Sequence, residues 1–268
     1  MKTYKGRTVL VTGASTGIGR AMAIDLSKRG ARVIAVARSE AQLQSLAGEF
    51  ARASAGLDII AMDLSTPDAA ARLHAEVAAR GLSVDVLINN AGFGKWGGFL
   101  EETPATYDQM INLNIKTLVD LCQAFLPAML AKGQGGIINV GSTGSFMPVP
   151  WSSVYAATKA FVLSFSEGLY YECKDKGVTV TCLCPGNTDT NFAAVAHAAA
   201  SKVGQEGESP AAVAKVGLDA LLKGKATVIS GAGNRRMVAM MKRMSRDRAL
   251  RTIGEGWKSR LASRGILF

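Results

Sequence analysis

The sequence predicts an α/β protein with a single doubly wound parallel sheet that has helices on both faces. Short runs rich in Val and Ile alternate along the chain with longer segments of helical periodicity. A glycine-rich turn joins the first strand to the first helix. The polar motifs follow the ends of predicted strands, where parallel sheets of this kind bind ligands. Chance does not easily produce the agreement of these three observations.

The chain has 268 residues, enough for one large domain with a substantial core. Hydrophobic residues make up 48% of it and charged residues 19%, which argues against a disordered chain. No apolar segment follows the charges of the first residues, so we expect no signal peptide. We also expect no membrane span, because we find no apolar run of sufficient length. A cytoplasmic location is the resulting expectation.

Cysteine and histidine usage argues against a metal site. The four cysteines show neither a paired framework nor metal-ligand spacing, and the chain has only two His. We interpret the thiols as free and buried in a reducing compartment. Cys182 and Cys184 would share one face of a strand.

The predicted elements follow from periodicity and flanking residues. Strands are predicted at residues 8–11, 32–37, 57–62, 84–88, 137–140, 178–183 and 227–229. Helices are predicted after the glycine turn, around Tyr155, and at residues 39–54, 68–80, 106–130 and 211–222. Thr103 and Pro104 are a typical cap and first residue of the long helix, which we expect to bend near Pro127.

The turn from Thr12 to Gly19 is typical of a phosphate-binding site. Its backbone can approach a pyrophosphate closely because glycine has no Cβ, and the start of the next helix offers unpaired N–H groups. The glycine spacing differs from the usual dinucleotide fingerprint. The residues expected to hold the phosphates are Gly13, Ser15, Thr16, Gly17, Ile18 and Gly19.

The end of the second strand indicates which dinucleotide binds. An acidic residue at this point would bind a free ribose hydroxyl, whereas a basic one would bind a 2′-phosphate. Ala37 offers no carboxylate and Arg38 offers a forked donor, so we favour NADP(H) over NAD(H). A surface Arg that opens the next helix is the alternative. After the third strand, Asp63 could accept a hydrogen bond from the adenine amino group, next to Leu64.

Tyr155 and Lys159 carry the expected chemistry. They lie four residues apart, so on a helix the ammonium can lie beside the phenol. A free Tyr has a pKa of about 10, and a nearby cation lowers it, which predicts a usable general acid or base. Ser142, after the fifth strand, would orient a substrate carbonyl. Such a pair also occurs by chance on solvated helices, and the other motifs are what favour the functional interpretation.

Substrate contacts are expected from segments that follow strand ends. Residues 93–99, 146–151 and 192–195 bring aromatic and aliphatic side chains to the expected mouth, which predicts a hydrophobic carbonyl or alcohol, acyl or steroid-like. The Ala- and Gly-rich residues 187–210 are interpreted as a lid over the substrate. His197 within them is interpreted as incidental.

Residues 234–268 are predicted to form a basic amphipathic extension of a main domain of residues 1–233. Residues 235–251 hold seven basic residues against Asp247 and carry much of the formal net charge of +10. Met237, Met240, Met241 and Met244 recur at helical spacing, which we interpret as a stripe packed on the domain or on a subunit. Attraction to an anionic membrane surface or to an acyl carrier is the alternative. Nothing marks a nucleic-acid-reading motif.

Six motifs occur in order: Thr12 to Gly19, Asn89 to Gly92, Asn114, Ser142, Tyr155 with Lys159, and Pro185-Gly186. Together they resemble the short-chain dehydrogenase/reductase family over almost the whole chain, and its ketoacyl and hydroxysteroid reductases in particular. The resemblance implies a Rossmann-type sheet and a catalytic tetrad of Asn114, Ser142, Tyr155 and Lys159. It implies further cofactor contacts from Gly13, Gly17, Gly19, Asp63, Asn90, Ala91, Gly92, Tyr155, Lys159, Pro185, Gly186 and Thr188. The basic residue that some NADP-using members carry before Gly17 is absent.

The resemblance also implies a mechanism and an assembly. A hydride passes between nicotinamide and substrate while Ser142 and Tyr155 bind the oxygen, and Tyr155 donates the proton. Lys159 holds the nicotinamide ribose, and the Asn114 backbone could order a water. We expect an NADP(H)-dependent oxidoreductase that forms a homo-oligomer through the helices around Asn114 and Phe161. A cofactor-binding scaffold without turnover, and a membrane- or acyl-carrier-associated protein dominated by its tail, are the alternatives.

Overall fold

The structure is a computed structural model that describes residues 1–50, 55–190, 192 and 207–262. A sheet of seven strands runs through it in the order β3-β2-β1-β4-β5-β6-β7, and all neighbouring pairs are parallel. The strands are β1 (Thr8–Thr12), β2 (Arg32–Ala37), β3 (Gly56–Ala61), β4 (Val86–Asn89), β5 (Gly135–Val140), β6 (Val178–Cys184) and β7 (Thr227–Ile229). The predicted parallel sheet is confirmed, with strand ends that shift by a residue or two.

Helices connect the strands and cover both faces of the sheet. They are α1 (Gly17–Lys28), α2 (Glu40–Ala47), α3 (Ala69–Ala79), α4 (Pro104–Ile111), α5 (Leu118–Ala131), α6 (Ser153–Cys173), α7 (Pro210–Leu222), α8 (Ala232–Lys242) and α9 (Arg246–Ala262). Short 3-10 turns lie at Phe99–Glu101, Thr143–Phe146 and Lys174–Lys176. α2 ends before Gly48, earlier than predicted, because glycine is a poor helix former.

The long helix is continuous from Pro104 to Ala131, but its geometry changes in the middle. A π-helical segment, Asn112–Thr117, joins α4 to α5. We expected a departure from regular geometry at Pro127, which instead lies inside α5. The irregular turn occurs where Asn114 enters the core to bind neighbouring backbone, and single π-helical turns of this kind are frequent at functional sites.

This long helix corrects one expectation from the sequence. By length and composition alone, Pro104–Ala131 could cross a membrane. The expectation that no run is long and apolar enough is therefore wrong. In the structure this helix is partly buried, and Leu121, Phe125 and Met129 pack in the core. The core helix of a soluble protein can have the same length and composition.

Two apolar cores lie on opposite faces of the sheet. Alternate residues of a strand point to opposite faces, so Leu10 packs with α3, α5 and α6 on one side. Val9 and Val11 pack with α1 and α7 on the other side. All three of these side chains are fully buried. This is the pattern expected of a parallel strand that helices cover on both faces.

The strand order reverses at β1, and this reversal positions the site. From β1 the chain winds outward through β2 and β3, and then returns to place β4 on the other side of β1. The connections that leave β1 and β4 therefore diverge to opposite faces and open a crevice at the carboxyl edge. The glycine turn follows β1 and Asn90 follows β4, so both reach this crevice.

The C-terminal helices pack onto the same edge of the sheet. α8 begins at Ala232, so the predicted domain division after residue 233 falls inside one helix. Met241 is buried and Met237 lines the central cavity, whereas Arg235 and Arg236 are exposed. The interpretation of Met side chains packed on the domain is confirmed for these two residues. Met240 is 49% exposed and does not pack on the domain, so its packing on a subunit stays a prediction.

Candidate active site

The turn after β1 requires glycine at particular positions. Gly13 and Gly17 have φ angles of 66° and 56°, which glycine adopts without strain. A Cβ on Gly13 would lie 2.7 Å from Asn90 Nδ2. A Cβ on Gly19 would lie 2.3 Å from the Gly13 carbonyl oxygen. Because both distances are far shorter than van der Waals contact, this backbone path requires glycine.

Helix α1 presents its N-terminus to the crevice. The Thr16 side chain makes no capping hydrogen bond within the described part of the chain. The N–H groups of the first turn, with the positive end of the helix dipole, therefore suit an anion such as a phosphate. The predicted phosphate-site residues that line the cavity are Gly13, Ser15, Thr16, Gly17 and Ile18. Gly19 is buried and does not line the cavity, so it supports the turn from the side of the core.

Asn90 and Thr12 lock the glycine turn to the end of β4. The Asn90 amide donates to the carbonyl oxygens of Thr12 and Gly13 at 2.9 and 3.2 Å. The Thr12 hydroxyl accepts hydrogen bonds from the N–H groups of Asn90 and Ala91, both at 3.0 Å. Asn90, Ala91 and Gly92 all line the cavity. The Asn90 side chain therefore acts on the turn rather than reaching across the crevice.

Ser142, Tyr155 and Lys159 meet at the carboxyl end of β5 and line the same cavity. α6 begins at Ser153, so Tyr155 and Lys159 lie one turn apart on it. The Ser142 hydroxyl lies near enough to Tyr155 to act on the pKa of its phenol, and it accepts a hydrogen bond from the Gly144 N–H at 3.1 Å. Lys159 Nζ donates to the Val140 carbonyl oxygen at 2.8 Å and lies 5.8 Å from the centre of the Tyr155 ring. The predicted grouping of these side chains is thus present.

The pKa of Tyr155 differs from the sequence prediction. Burial raises the pKa of Tyr155 to about 12, and the nearby Ser142 hydroxyl opposes this only in part. Burial lowers the pKa of Lys159 to about 8, against the opposing influence of Cys182 and Cys184. The prediction that Lys159 lowers the phenol pKa is therefore wrong for this structure. The physical reason is that both groups are desolvated, and the ammonium is bound to Val140 instead of the phenol oxygen.

We expect a Lys159→Met variant to reveal the cost of the buried ammonium. Unfolded Lys loses its proton near pH 10.5 and folded Lys159 near pH 8, so the unfolded state binds more protons between these values. The penalty for burying the ammonium is therefore largest below pH 8 and fades as the pH rises. The stability advantage of the variant over the parent should shrink by about 2 kcal/mol between pH 7 and pH 9.5, as measured by urea unfolding.

Lys116→Met is the matched control, because the Lys116 side chain is 66% exposed. Its stability difference from the parent should stay nearly constant over the same pH range. If Lys159→Met behaves like this control, the folded pKa of Lys159 is not lowered.

Asn114 holds the loop after β4 against α6. Its side chain accepts a hydrogen bond from the Phe93 N–H at 3.1 Å and donates to the Phe93 carbonyl oxygen at 2.9 Å. It also donates to the Thr158 hydroxyl at 3.1 Å, next to Lys159. Within the described residues Asn114 does not line the cavity. Its catalytic role stays a prediction, and its side chain serves to position the loop.

Arg38 and Asp63 lie at the far end of the cavity, with Leu64. Asp63 Oδ1 accepts hydrogen bonds from the N–H and the hydroxyl of Ser65 at 2.9 and 2.7 Å. Burial acts to raise the pKa of Asp63, but these bonds and the charges of Arg38 and Arg72 hold it below its usual range. This end of the cavity therefore combines a carboxylate acceptor with an exposed guanidinium, as predicted for the adenosine end.

Pro185, Gly186 and Thr188 line the cavity after β6. Thr188 is buried and donates to the Gly186 carbonyl oxygen at 3.1 Å. Asn234 of α8 packs so closely on Gly186 that a Cβ there would lie 2.3 Å from Asn234 Nδ2. Most of the predicted lid, with residues 193–195 and His197, lies outside the described residues. Phe192 is described, and its ring centre lies 5.6 Å from that of Tyr155.

These segments surround one cavity of about 790 Å³, within the usual size of cofactor sites. The strand order β3-β2-β1-β4-β5 places Asp63 and Arg38 first along the cavity, then the glycine turn, and then Tyr155 and Lys159 beside the end of β5. That order matches adenosine, pyrophosphate and nicotinamide in a dinucleotide. The glycine turn and the first turn of α1 line the cavity, where their backbone N–H groups can bind the pyrophosphate. The residues therefore fit a nicotinamide dinucleotide.

Sequence reasoning missed one wall of this cavity. It is formed by side chains of α8 and α9: Asn234, Met237, Met241, Thr252, Ile253, Gly256 and Trp257. Trp257 packs on Trp96 in the loop after β4, with ring centres 4.3 Å apart. The helical spacing of Met237 and Met241 was the only sign of this wall that we identified in the sequence. Spacing shows that a helix has an apolar face, but not which surface that face covers.

A proton donor held at one end of a dinucleotide-sized cavity suits one class of protein, the oxidoreductases that use NAD(H) or NADP(H). Comparison with known proteins agrees with this. The chain belongs to the short chain dehydrogenase family, whose model matches residues 7–201. It is accordingly an oxidoreductase that acts on C=O and CH–OH groups. The predicted family, fold and enzyme class are confirmed.

Individual relatives support the assignment. The chain is 34% identical over 226 residues to a very-long-chain 3-oxoacyl-CoA reductase of Anas platyrhynchos, an alignment that covers 82% of this chain and 72% of that protein. A short-chain dehydrogenase from Sphingobium yanoikuyae in complex with NADPH has a TM-score of 0.78 and 30% identity, covering 89% of this chain and 96% of the other. A 7β-hydroxysteroid dehydrogenase has a TM-score of 0.83 and 26% identity, covering 94% and 98%.

Proposed function

We propose that the protein is an NADP(H)-dependent oxidoreductase for hydrophobic carbonyl compounds or secondary alcohols. The observation that carries the proposal is the convergence of Ser142, Tyr155 and Lys159 at one end of the dinucleotide-sized cavity. A nicotinamide supplies or accepts the hydride when bound. Relatives named as a 3-oxoacyl-CoA reductase and a hydroxysteroid dehydrogenase also support a ketone or secondary alcohol.

Tyr155 is the proposed proton donor in carbonyl reduction. Its raised pKa keeps the phenol protonated at neutral pH, so it can donate to the substrate oxygen as negative charge develops there. The Ser142 hydroxyl lines the same cavity as Tyr155 and can donate a hydrogen bond to the same oxygen. Lys159, held by the Val140 carbonyl, places a cation beside the phenolate that remains. In the oxidative direction the same side chains act in reverse.

Arg38 supports NADP(H) over NAD(H). It is exposed at the carboxyl end of β2 and lines the cavity beside Ser39 and Gln42. Its influence on the pKa of Asp63 indicates that the two side chains are near each other. A guanidinium next to the ribose position suits a 2′-phosphate. The NADPH complex of the Sphingobium relative is consistent with this choice.

The chemistry of the cavity wall supports a hydrophobic substrate. Beyond Tyr155 it is lined by apolar and aromatic side chains: Phe93, Trp96, Met147, Val149, Phe192, Met237, Met241, Ile253 and Trp257. Such a wall favours a ketone with an apolar body, because the transfer of apolar surface from water to this wall is favourable.

A substrate screen tests the proposal. Purified full-length protein is incubated with NADPH and a panel of 3-oxoacyl thioesters, steroid ketones, aryl ketones and small aliphatic ketones, and the loss of NADPH absorbance is followed. We expect turnover of apolar ketones and little of small polar ones. Tight NADPH binding without turnover of any ketone would favour a cofactor-binding scaffold instead.

The basic tail offers a surface for the alternative role. Arg235, Arg236, Arg243 and Arg251 are exposed, and within the described residues no ion pair involves a basic side chain of residues 235–258. These cations lie opposite the cavity wall formed by α8 and α9, so a membrane or acyl carrier would meet the outer face. Co-sedimentation of the full chain with anionic liposomes separates that contact from a freely diffusing reductase.

We propose a homo-oligomer that forms through the long helices. Phe161 on α6 is 39% exposed and Ile111 on α4 is 44% exposed, although both are large apolar side chains. Phe161→Glu should shift the mass measured by light scattering toward the monomer, because a carboxylate in an apolar interface loses its solvation. Leu100→Glu, at an apolar position outside these helices that is 91% exposed, is the control. An unchanged mass for both variants would contradict this interface.

A further inference from the structure

The C-terminal helices are attached to the catalytic end of the cavity at several points. At the start of α8, the Asn234 amide donates to Glu208 Oε2 at 3.2 Å and to the Ser230 carbonyl oxygen at 3.0 Å. Glu208 also accepts a hydrogen bond from the buried Ser230 hydroxyl at 2.6 Å. Since Asn234 fills the space above Gly186, these bonds fix α8 beside the segment that follows β6.

The other contacts of the tail involve the loops that carry Ser142 and Trp96. The Lys242 ammonium lies 4.7 Å from the centre of the Phe146 ring, in the 3-10 turn that Ser142 caps. A Cβ on Gly254 would lie 3.7 Å from Pro150 Cγ, so α9 runs close to the loop after that turn. Trp257 packs on Trp96 at 4.3 Å with the rings tilted by 44°. The tail therefore connects the loops after β4, β5 and β6.

The cavity-facing side of these helices is apolar or small. Met237 and Met241 are one helical turn apart on α8, and Ile253 and Trp257 are one turn apart on α9. Met is adaptable and can pack on substrates of varied shape, whereas paired indoles form a broad and rigid apolar surface. One flat side of a wide apolar substrate can therefore pack against this wall.

We propose that Trp257, paired with Trp96, is a specificity-determining residue that closes the substrate half of the cavity. The favoured substrate is then a ketone or secondary alcohol with a broad fused-ring or similarly bulky apolar body, which packs against both indoles and against Met237 and Met241. This inference rests on the proposed function, because it names the substrate class of the same site. The C-terminal helices α8 and α9 then bind substrate, although basic charge is the main feature of their sequence.

The test compares two ketones in full-length protein with NADPH present. The bulky probe is a tricyclic aromatic ketone and the small probe is ethyl acetoacetate. Trp257→Ala should lower the ratio of kcat/KM for the bulky probe to that for the small probe by roughly tenfold, mainly through KM. Trp257→Phe should keep most of the ratio, and serves as the milder variant if the Ala variant does not fold. Leu250→Ala, on the same helix and 44% exposed in the parent, should leave the ratio unchanged.

A double-mutant cycle identifies the indole pair as the cause. Trp96→Ala should lower the same ratio by a similar factor, and the double variant should lose little more than either single one, because neither indole alone forms the closed wall. Equal losses for both probes in Trp257→Ala, or additive losses in the double variant, would overturn the proposal.

Direct binding separates this inference from the proposed function. Calorimetric titration of the tricyclic ketone into protein saturated with NADP⁺, which cannot reduce it, should show binding that Trp257→Ala weakens by roughly tenfold and Leu250→Ala does not. If the parent binds the ketone in this Trp257-dependent way but turns over no ketone, the proposed function fails and the specificity site stands. If the parent does not bind the ketone, or binds it equally well without Trp257, the specificity site is refuted whatever the activity.

Discussion

Tyr155→Phe should lower carbonyl reduction by about a thousandfold while NADPH binding stays within a factor of about two. The substitution removes the hydroxyl and keeps the ring, so the contact with Phe192, whose ring centre lies 5.6 Å away, is preserved. Burial keeps this phenol protonated at neutral pH, and Tyr155 is the only tyrosine among the described residues that line the cavity. The loss should therefore appear in kcat, with little change in the dissociation constant of NADPH measured by fluorescence.

Ser142→Ala is the companion variant for this experiment. It removes a hydrogen-bond donor for the substrate oxygen and leaves the proton donor in place, so a smaller loss of about a hundredfold is expected. Turnover of Tyr155→Phe within tenfold of the parent would show that another group supplies the proton.

Arg38→Asp should reverse the cofactor preference by about a hundredfold or more in the ratio of kcat/KM for NADPH to that for NADH. The substitution removes the proposed partner of the 2′-phosphate and adds a carboxylate that repels it. The same carboxylate can accept a hydrogen bond from the ribose hydroxyl of NADH. Arg38→Ala should give an intermediate ratio, because it removes the attraction without adding repulsion.

Arg72→Asp is the matched control for Arg38. Both guanidinium groups lower the pKa of Asp63, but among the described residues only Arg38 lines the cavity. If the effect comes from charge near Asp63 in general, both variants should change the ratio equally. If it comes from contact with the 2′-phosphate, Arg72→Asp should keep the NADPH preference of the parent. An unchanged preference in Arg38→Asp would reject the assignment of Arg38.

Local sequence patterns were sufficient for the fold and for most of the candidate site. The alternation of apolar strands with helices predicted the parallel sheet, and the glycine turn marked the place where β1 enters α1. Tyr155 and Lys159 are neighbours through helical spacing alone, so their proximity required no knowledge of distant contacts.

Features that depend on distant segments were not predictable. The π-helical turn at Asn112–Thr117 arises where Asn114 bonds to the backbone of Phe93 and to Thr158 on another helix. The sequence suggested Pro127 instead, because proline is the local signal for an irregular helix. A helix that contributes to the core can also be apolar enough to resemble a membrane span. Composition alone does not distinguish these two environments.

The amino-acid sequence by itself determined the order of strands and helices, the glycine turn and the adjacency of Tyr155 and Lys159, because each depends on contacts within a few residues or one helical turn. The pKa shifts of that pair depend on the tertiary structure, since burial by distant segments is the largest cause of both. The tertiary structure also decided that α8 and α9 form a wall of the cavity and bring Trp257 to Trp96. A helical pattern specifies which side chains share a face, but only the packing of the whole chain specifies what that face touches.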